Sequence, residues 1–410
     1  MQEVVRVGHS ARNEAPQRGN YFRRTSLAQS FASFTPADLL MNSTYYITSL
    51  TPPADGKDAP PCDHEILERY KSLVGEQKVT WTEHHRFIQL LGAGGQGVVY
   101  LSERRGTDHF TLPVAMKIFT PEPFKTQAAY DTAMGRMARV AARVAQIQQD
   151  NLLDVHNFVE RNRIRIMEME WVDGFDLSRL LSHDMLAVLK KKLDTPRWNY
   201  VNNVIVTAGP TQARLKPGIA IAVLRECLAA LNALHRAKIV HGDMKPSNIM
   251  LKRTGNAKII DIGSAFDLMD EPQRGPCTPP YAAPEVLEGA EQTERSDLCS
   301  LGYVLIEMLS GQPPFAGLKN YTELLEAKRS LPHRLHERLP KDVTCNELLM
   351  NLIRGLIAAD PMCRYPTAEA ADVMKDGAAG FQRQLVKGDL STEYENDIRG
   401  WLRDVGDAKF

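Results

Sequence analysis

His241-Gly242-Asp243-Met244-Lys245-Pro246-Ser247-Asn248 lies between a helix-patterned run ending in Leu234-His235 and the apolar Ile249-Met250-Leu251. Thirteen residues beyond Asn248, after the strand-like Ala257-Lys258-Ile259-Ile260, comes Asp261-Ile262-Gly263. An Asp, a Lys at +2, an Asn at +5 and a later Asp-x-Gly are the parts that phosphoryl transfer requires. One carboxylate orients a hydroxyl nucleophile and takes its proton. A lysine neutralises charge on the moving phosphoryl group, and the Asn oxygen and second carboxylate hold Mg²⁺. Singly these are ordinary loop residues; their joint order and spacing carry the information.

Upstream, Gly92-Ala93-Gly94-Gly95-Gln96-Gly97-Val98-Val99 sits between two strand-like runs, Phe87–Leu91 and Gly97–Leu101. Such a turn lets backbone approach a polyphosphate closely. Alone it also fits a dinucleotide fold or a flexible hairpin. A dinucleotide site needs a helix directly after the glycines and an acid about 20 positions on. Here another strand follows, and then Val114-Ala115-Met116-Lys117-Ile118-Phe119. The apolar neighbours of Lys117 indicate a buried strand, where an unpaired ammonium is costly. Ile164 to Trp171 reads as a further strand, and Gln127 to Gln149 as a helix with Tyr130, Met134, Met137, Ala141 and Val144 on one face. After Gly174 the pattern turns helical, at Ile219–Leu234, Ser296–Leu309, Asn346–Ile357 and Ala368–Met374. The fold class is therefore α+β, a small β-rich lobe followed by a larger helical one.

With these motifs in this order, the chain resembles the eukaryotic-type Ser/Thr protein kinase family, from Phe87 to Met374. The resemblance implies a two-lobed protein kinase-like fold. The family's Gly-rich loop matches Gly92, Gly94 and Gly97, with Ala93, Gly95 and Gln96 between them. Leu91 and Val99 match adenine-side positions, Ala115 the small residue over the adenine, and Lys117 the strand lysine. Met169-Glu170-Trp171-Val172 matches the hinge, which implies backbone hydrogen bonds to adenine from Glu170 and Val172. Asp176 falls where the family often places a ribose-binding acid, and Met250 at the adenine floor. Asp243 matches the catalytic base, with Lys245 and Asn248 in their usual roles, and Asp261 matches the metal-binding acid. Cys277-Thr278-Pro279-Pro280-Tyr281-Ala282-Ala283-Pro284-Glu285 resembles the substrate-facing segment ending in A-P-E. Ser296 to Gly302 matches the helix with a buried Asp, Asp297, and Arg364 matches the arginine that pairs with Glu285. The implied cofactors are ATP and Mg²⁺, and the implied partner is a protein with a Ser or Thr acceptor, since Lys245-Pro246-Ser247-Asn248 favours Ser/Thr over Tyr.

Three departures from the family matter. No Glu occurs from Pro123 to Val159, so the helix after Lys117 cannot supply the usual glutamate partner; its place falls near Val140. Arg136, Arg139 and Arg143 form a stripe there, either a solvated face or a contact to an acidic or phosphate partner. Gly242 stands where many members carry an Arg that meets a phosphorylated loop. The segment between Gly263 and Cys277 is expected to offer no phosphorylatable hydroxyl, so loop phosphorylation looks unnecessary. Ile262 replaces the usual Phe and keeps an apolar plug. The missing glutamate leaves a pseudokinase or nucleotide-binding scaffold as an alternative. A small-molecule kinase is a second, because His-Gly-Asp also opens the catalytic loop of aminoglycoside and choline kinases.

Composition narrows the rest. With 43% apolar and 24% charged residues, a full core is available. Fifty Lys+Arg balance fifty Asp+Glu, so nothing argues for a nucleic-acid partner. Six scattered cysteines without zinc-ligand spacing fit a reducing compartment, and the expected location is cytoplasmic. Ile219–Leu234 is interrupted by Arg225 and Glu226 and reads as too short for a membrane span. The organisation is read as a tail and linker over 1–61, a helical lead-in over 62–86 and a kinase domain over 87–380. Within that domain the lobes meet near 172–173, and an inserted hairpin is placed at 195–216. A helical extension covers 381–410. Arg23-Arg24-Thr25-Ser26-Leu27 in the tail has the pattern that basophilic kinases accept, or matches it by chance. The sequence leaves the oligomeric state open.

Overall fold

The computed structural model describes residues 45–46, 64–76, 78–80, 84–106, 108–270, 276–318, 320–387 and 393–407. The linker from Thr51 to Pro61 and the Arg23–Leu27 motif lie outside the described residues.

The N-terminal lobe is built on one antiparallel sheet. Its strands are β1 (Lys78–Thr80), β2 (His84–Gly94), β3 (Gly97–Arg105), β4 (Thr111–Phe119), β5 (Val155–Arg161) and β6 (Ile164–Glu170). The order across the sheet is β1-β2-β3-β4-β6-β5. Val114, Met116 and Ile118 of β4 and Ile164, Ile166 and Met167 of β6 are completely buried, which fits β-branched and unbranched apolar residues at the centre of a sheet. Helix α1 (His64–Gly75) buries Ile66 and Leu73 and packs on β6.

Helix α2 (Gln127–Val144) starts where the Thr126 hydroxyl accepts a hydrogen bond from the Ala129 N–H at 3.2 Å. It buries Tyr130, Met134, Met137, Val140, Ala141 and Val144 along one stripe. The helix ends at Val144 rather than Gln149, because the chain beyond it is drawn into backbone pairing with the helical lobe. The Leu153 N–H donates to the Ile259 carbonyl at 2.9 Å, and the Ile259 N–H to the Asn151 carbonyl at 2.8 Å.

The C-terminal lobe is helical around α3 (Pro217–Arg236), α4 (Glu294–Ser310) and α5 (Glu347–Ile357). On it lies a small sheet of β7 (Gly174–Asp176), β8 (Ile249–Lys252) and β9 (Ala257–Ile259), ordered β9-β8-β7. The residues from Ser296 to Ser310 of α4 are all buried, so this helix is the centre of the lobe. The two-lobed α+β fold implied by the motifs is the one observed.

Two local readings are corrected. Trp198 to Ile205 is not strand: Thr195–Tyr200 is α-helical and Val201–Ile205 a π turn. The Asp194 carboxylate caps this helix through the Arg197 N–H at 2.9 Å, and Pro196 in its first turn suits a helix start. The hairpin is confined to Val206–Ala208 paired with Ala213–Leu215. The apolar stretch at Ile219 is also longer than read. Pro217 starts the helix and Arg236 ends it, giving 20 residues, enough in length and composition to cross a membrane, with 56% of its apolar window buried inside the lobe.

Candidate active site

The Gly-rich turn is the tip of the β2–β3 hairpin, where Gly94 pairs with Gly97 and leaves Gly95 and Gln96 as the connection. A row of facing residues then runs across the sheet: Gly92 with Val99, Val99 with Lys117, and Lys117 with Met167. Ala115, two residues before Lys117 and on the same side, faces Leu101 and Met169. Leu91 and Val99 are half-buried and Ala115 buried.

Lys117 is 5% exposed. Its ammonium donates to the Asp261 carboxylate at 2.7 Å and to the Gln96 amide oxygen at 2.7 Å. Burial pushes the Asp261 carboxyl up, but the charge and hydrogen bond of Lys117 and the N–H of Gly263 prevail and hold it below its ordinary value. Asp261 is thus ionised beside the Gly-rich turn.

A second cluster is assembled by the loop around Asp243. Asp243, Lys245, Asn248 and Thr278 are all buried. The Asp243 carboxylate accepts from the Thr278 hydroxyl at 2.7 Å and pairs with the Lys245 ammonium at 2.9 Å. Lys245 also donates to the Thr278 hydroxyl at 3.1 Å. The Asn248 amide nitrogen donates to the Asp243 carbonyl at 2.8 Å, so its amide oxygen is the atom turned elsewhere. The structure therefore brings Asp243, Lys245, Asn248 and Thr278 into one cluster, and Lys117, Asp261 and Gln96 into another.

The loop is fixed from below by α4. The buried Asp297 carboxylate accepts the N–H groups of His241 at 2.8 Å and Gly242 at 2.9 Å, and meets His235 Nε2 at 2.9 Å. Gly242 has φ +80°, and a side chain there would bring its Cβ to 2.8 Å from the Ser264 carbonyl. The glycine in place of the family's arginine is thus a backbone requirement in this chain. Sequence reading missed two supports. Lys328 is completely buried and donates to the Pro280 carbonyl at 2.6 Å, with its ammonium 4.1 Å from the ring centres of Tyr303 and Phe315. Gln292 donates to the Gly242 carbonyl at 3.4 Å. Only the spacing of Lys328 within an otherwise amphipathic helix could have flagged it.

The hinge residues Met169 to Val172 join the lobes. The Glu170 side chain turns to the Asp154 N–H at 2.8 Å and to the Lys258 ammonium, and its own N–H donates to the Asp154 carbonyl at 2.9 Å. Asp176 faces Met250 across β7 and β8. Its carboxylate caps the helix that follows, accepting from the Arg179 N–H at 3.1 Å.

The arginine stripe of α2 has partners within the chain: Arg143 pairs with Asp267, and Arg139 with Asp270 at 3.2 Å. The helix is thereby tied to the segment beyond Asp-Ile-Gly. Ser264 corrects the expectation that this segment carries no hydroxyl: it stands directly after Gly263, 7% exposed, and receives the Gln96 amide N–H at 2.9 Å.

Glu285 and Arg364 form a two-pronged ion pair, both contacts at 2.7 Å, with the arginine side chain fully buried. Removing one charge of such a pair costs about 3–5 kcal/mol. Glu285→Ala is therefore expected to lower the thermal midpoint sharply, whereas a surface control such as Glu347→Ala leaves it unchanged; differential scanning calorimetry distinguishes the two.

A sheet lobe and a helical lobe meeting at a hinge, with a Gly-rich hairpin over a lysine–aspartate pair, define a nucleotide-dependent phosphotransferase architecture. A family model described as "Protein kinase domain" matches residues 85–375. The chain belongs to the protein kinase family. It is similar to the serine/threonine-protein kinase PknH of Mycobacterium tuberculosis, 32% identical over 231 residues, covering 55% of this chain and 31% of that protein. It is likewise similar to the serine/threonine-protein kinase PrkC of Bacillus subtilis, 27% identical over 292 residues, 70% of this chain and 39% of that protein. A third relative is the serine/threonine-protein kinase PknD of M. tuberculosis, 31% identical over 235 residues, 56% of this chain and 30% of that protein. The matched stretch thus spans between three and four tenths of the length of these relatives.

Proposed function

We propose that the protein is an ATP-dependent serine/threonine kinase that transfers the γ-phosphoryl group to a Ser or Thr hydroxyl of a protein. The observation that carries this reading is the cluster of Asp243, Lys245 and Thr278, in which an ionisable carboxylate, a cation and a hydroxyl-bearing loop share one network. In this reading the substrate hydroxyl takes the place of the Thr278 hydroxyl against one Asp243 oxygen, and its proton passes to that oxygen as the O–P bond forms. Lys245 balances charge on the moving group, and ADP leaves with the electron pair of the broken bond.

The adenine is proposed to lie between Leu91, Val99, Ala115 and Met250, with backbone hydrogen bonds at Glu170 and Val172. The main chain of Gly92 to Gly97 and the Lys117 ammonium receive the phosphates. Asp176 is left out, because its carboxylate serves its own helix. Mg²⁺ fits Asp261, held ionised by Lys117, and the Asn248 oxygen turned away by its bond to Asp243. Two protein oxygens are a usual share for this ion, which takes its other positions from phosphate and water. When bound, it neutralises phosphate charge.

A catalytically silent reading has the missing helix glutamate in its favour, and Lys117, Asp243, Lys245, Asn248 and Asp261 against it. A protein rather than a small-molecule acceptor is supported by the A-P-E segment, anchored by Arg364 and adjoining Thr278. A cytoplasmic setting is proposed on the free buried thiols Cys227, Cys277 and Cys299. Purified protein incubated with radiolabelled Mg-ATP and a generic Ser/Thr protein substrate should give label on Ser or Thr. No label above an Asp243→Asn control refutes the proposal.

A further inference from the structure

The α2 face beside Lys117 is apolar. Val140, where the glutamate is expected, is 2% exposed, and Met137 and Met134 are 8% and 5% exposed. A cavity of about 40 Å³ is left there, lined by Phe119, Met134 and Met137 together with Gln96 and Gly263. The Gln96 amide enters this space from the tip of the Gly-rich turn. Its oxygen takes the Lys117 ammonium at 2.7 Å, and its nitrogen donates to Ser264 at 2.9 Å. Both ends of the amide are therefore bonded, and the second bond fixes which end faces the lysine. Gly263 leaves room for this contact: a Cβ there would lie 2.2 Å from the Gln96 oxygen and 2.3 Å from the Lys117 nitrogen.

We infer that Gln96 is a positioning residue for phosphoryl transfer: its amide, not a helix carboxylate, holds Lys117 toward the phosphates from the α2 side. The inference rests on the kinase reading for its consequence. A neutral amide accepts a hydrogen bond from one ammonium N–H and adds no second negative charge beside Lys117, which already meets Asp261. A carboxylate would add one. Placing this group on the Gly-rich turn also couples the turn to Lys117 and to the Asp-Ile-Gly segment without help from α2. The helix is then free to be anchored through Arg139 and Arg143 instead.

The test is a mutant cycle read in two ways, by turnover and by calorimetric Mg-ATP affinity, with thermal midpoints recorded throughout. Loss of positioning typically lowers rate by about 10-fold to 100-fold, and Gln96→Ala should lose kcat/KM for ATP in that range without lowering the midpoint. Gln96→Glu, and Gln96→Ala combined with Met137→Glu, should recover most of the loss, because each returns an acceptor to the lysine. Lys117→Met and Lys117→Met/Gln96→Ala should behave alike, since residues that act through one another are not additive. Wild-type behaviour of Gln96→Ala, or losses that multiply in the double variant, overturns the inference. The affinity cycle is run in the Asp243→Asn background and needs no turnover. If the wild-type protein fails to phosphorylate, the kinase reading falls. Multiplying affinity losses would then overturn the Gln96 assignment separately, and coincident ones would uphold Gln96 as the group that holds Lys117, without its role in transfer.

Discussion

Asp243→Asn is expected to lower phosphoryl transfer on the order of 10²–10⁴-fold, the usual loss of a general base, with Mg-ATP affinity close to wild type. The substitution is nearly isosteric, so the amide oxygen can still accept from the Thr278 hydroxyl, now 2.7 Å from the carboxylate. What disappears is the capacity to take a proton from the acceptor. Lys245 loses its anionic partner at 2.9 Å but keeps the Thr278 hydroxyl at 3.1 Å. A fall in thermal midpoint therefore accompanies the loss of rate. In the proposed site the nucleotide is held by other groups, chiefly Lys117, Asp261 and the Gly-rich turn. Single-turnover kinetics and calorimetry on the same preparations separate the two effects. Unchanged turnover in the variant excludes Asp243 as the base.

The parts of the site that lie close together in sequence were legible because chemistry constrains them twice, in residue type and in spacing. Asp243, Lys245 and Asn248 share one loop, and their side chains meet because a short 3₁₀ turn at Pro246–Asn248 folds that loop back on itself. The central strands were legible for a related reason: β4 is buried from Val114 to Phe119 and reads as an apolar run broken only by Lys117, while β6 carries Ile164, Ile166, Met167 and Met169 among its charged residues. β5 was not recognised. Its sequence, Val-His-Asn-Phe-Val-Glu-Arg, is an edge strand in which only Val155 is buried, and no apolar alternation marks it. The helix at Thr195–Tyr200 was hidden because Trp198 and Tyr200 carry strand preferences, while capping by Asp194 and the Pro196 start decide the outcome.

Contacts between distant segments were beyond the sequence. The pairing of Arg143 with Asp267 joins residues 124 apart, and that of Gln96 with Ser264 joins residues 168 apart. The arginine stripe marked itself as unusual, but helical periodicity fixes only a face, not what the fold places opposite it. The absence of a glutamate was likewise legible. Its replacement by a group on another element becomes visible only when the Gly-rich turn and the Asp-Ile-Gly segment are brought over the same lysine.

Asp261→Ala should abolish the stabilisation that Mg-ATP confers. A ligand at one hundred times its dissociation constant stabilises the native state by about 2.7 kcal/mol, readily seen as a rise in midpoint for the wild-type protein. The alanine variant removes one of the two proposed cation ligands and the carboxylate that meets Lys117 at 2.7 Å. Lys117, 5% exposed, then retains the Gln96 amide but no anion. The variant is therefore less stable without ligand and gains little when Mg-ATP is added. The pH dependence has a definite sign. Because the native Asp261 carboxyl lies below its ordinary value, the stability from its pairing is complete above the unfolded value of about 4. It is lost as pH falls through the lowered native value. The Mg-ATP-dependent rise should accordingly persist at pH 5.5 as far as Asp261 is concerned, and adding a chelator should remove it in the wild-type protein at every pH. Equal midpoint shifts in wild type and variant would exclude Asp261 as a metal ligand and leave its contact with Lys117 as a structural one.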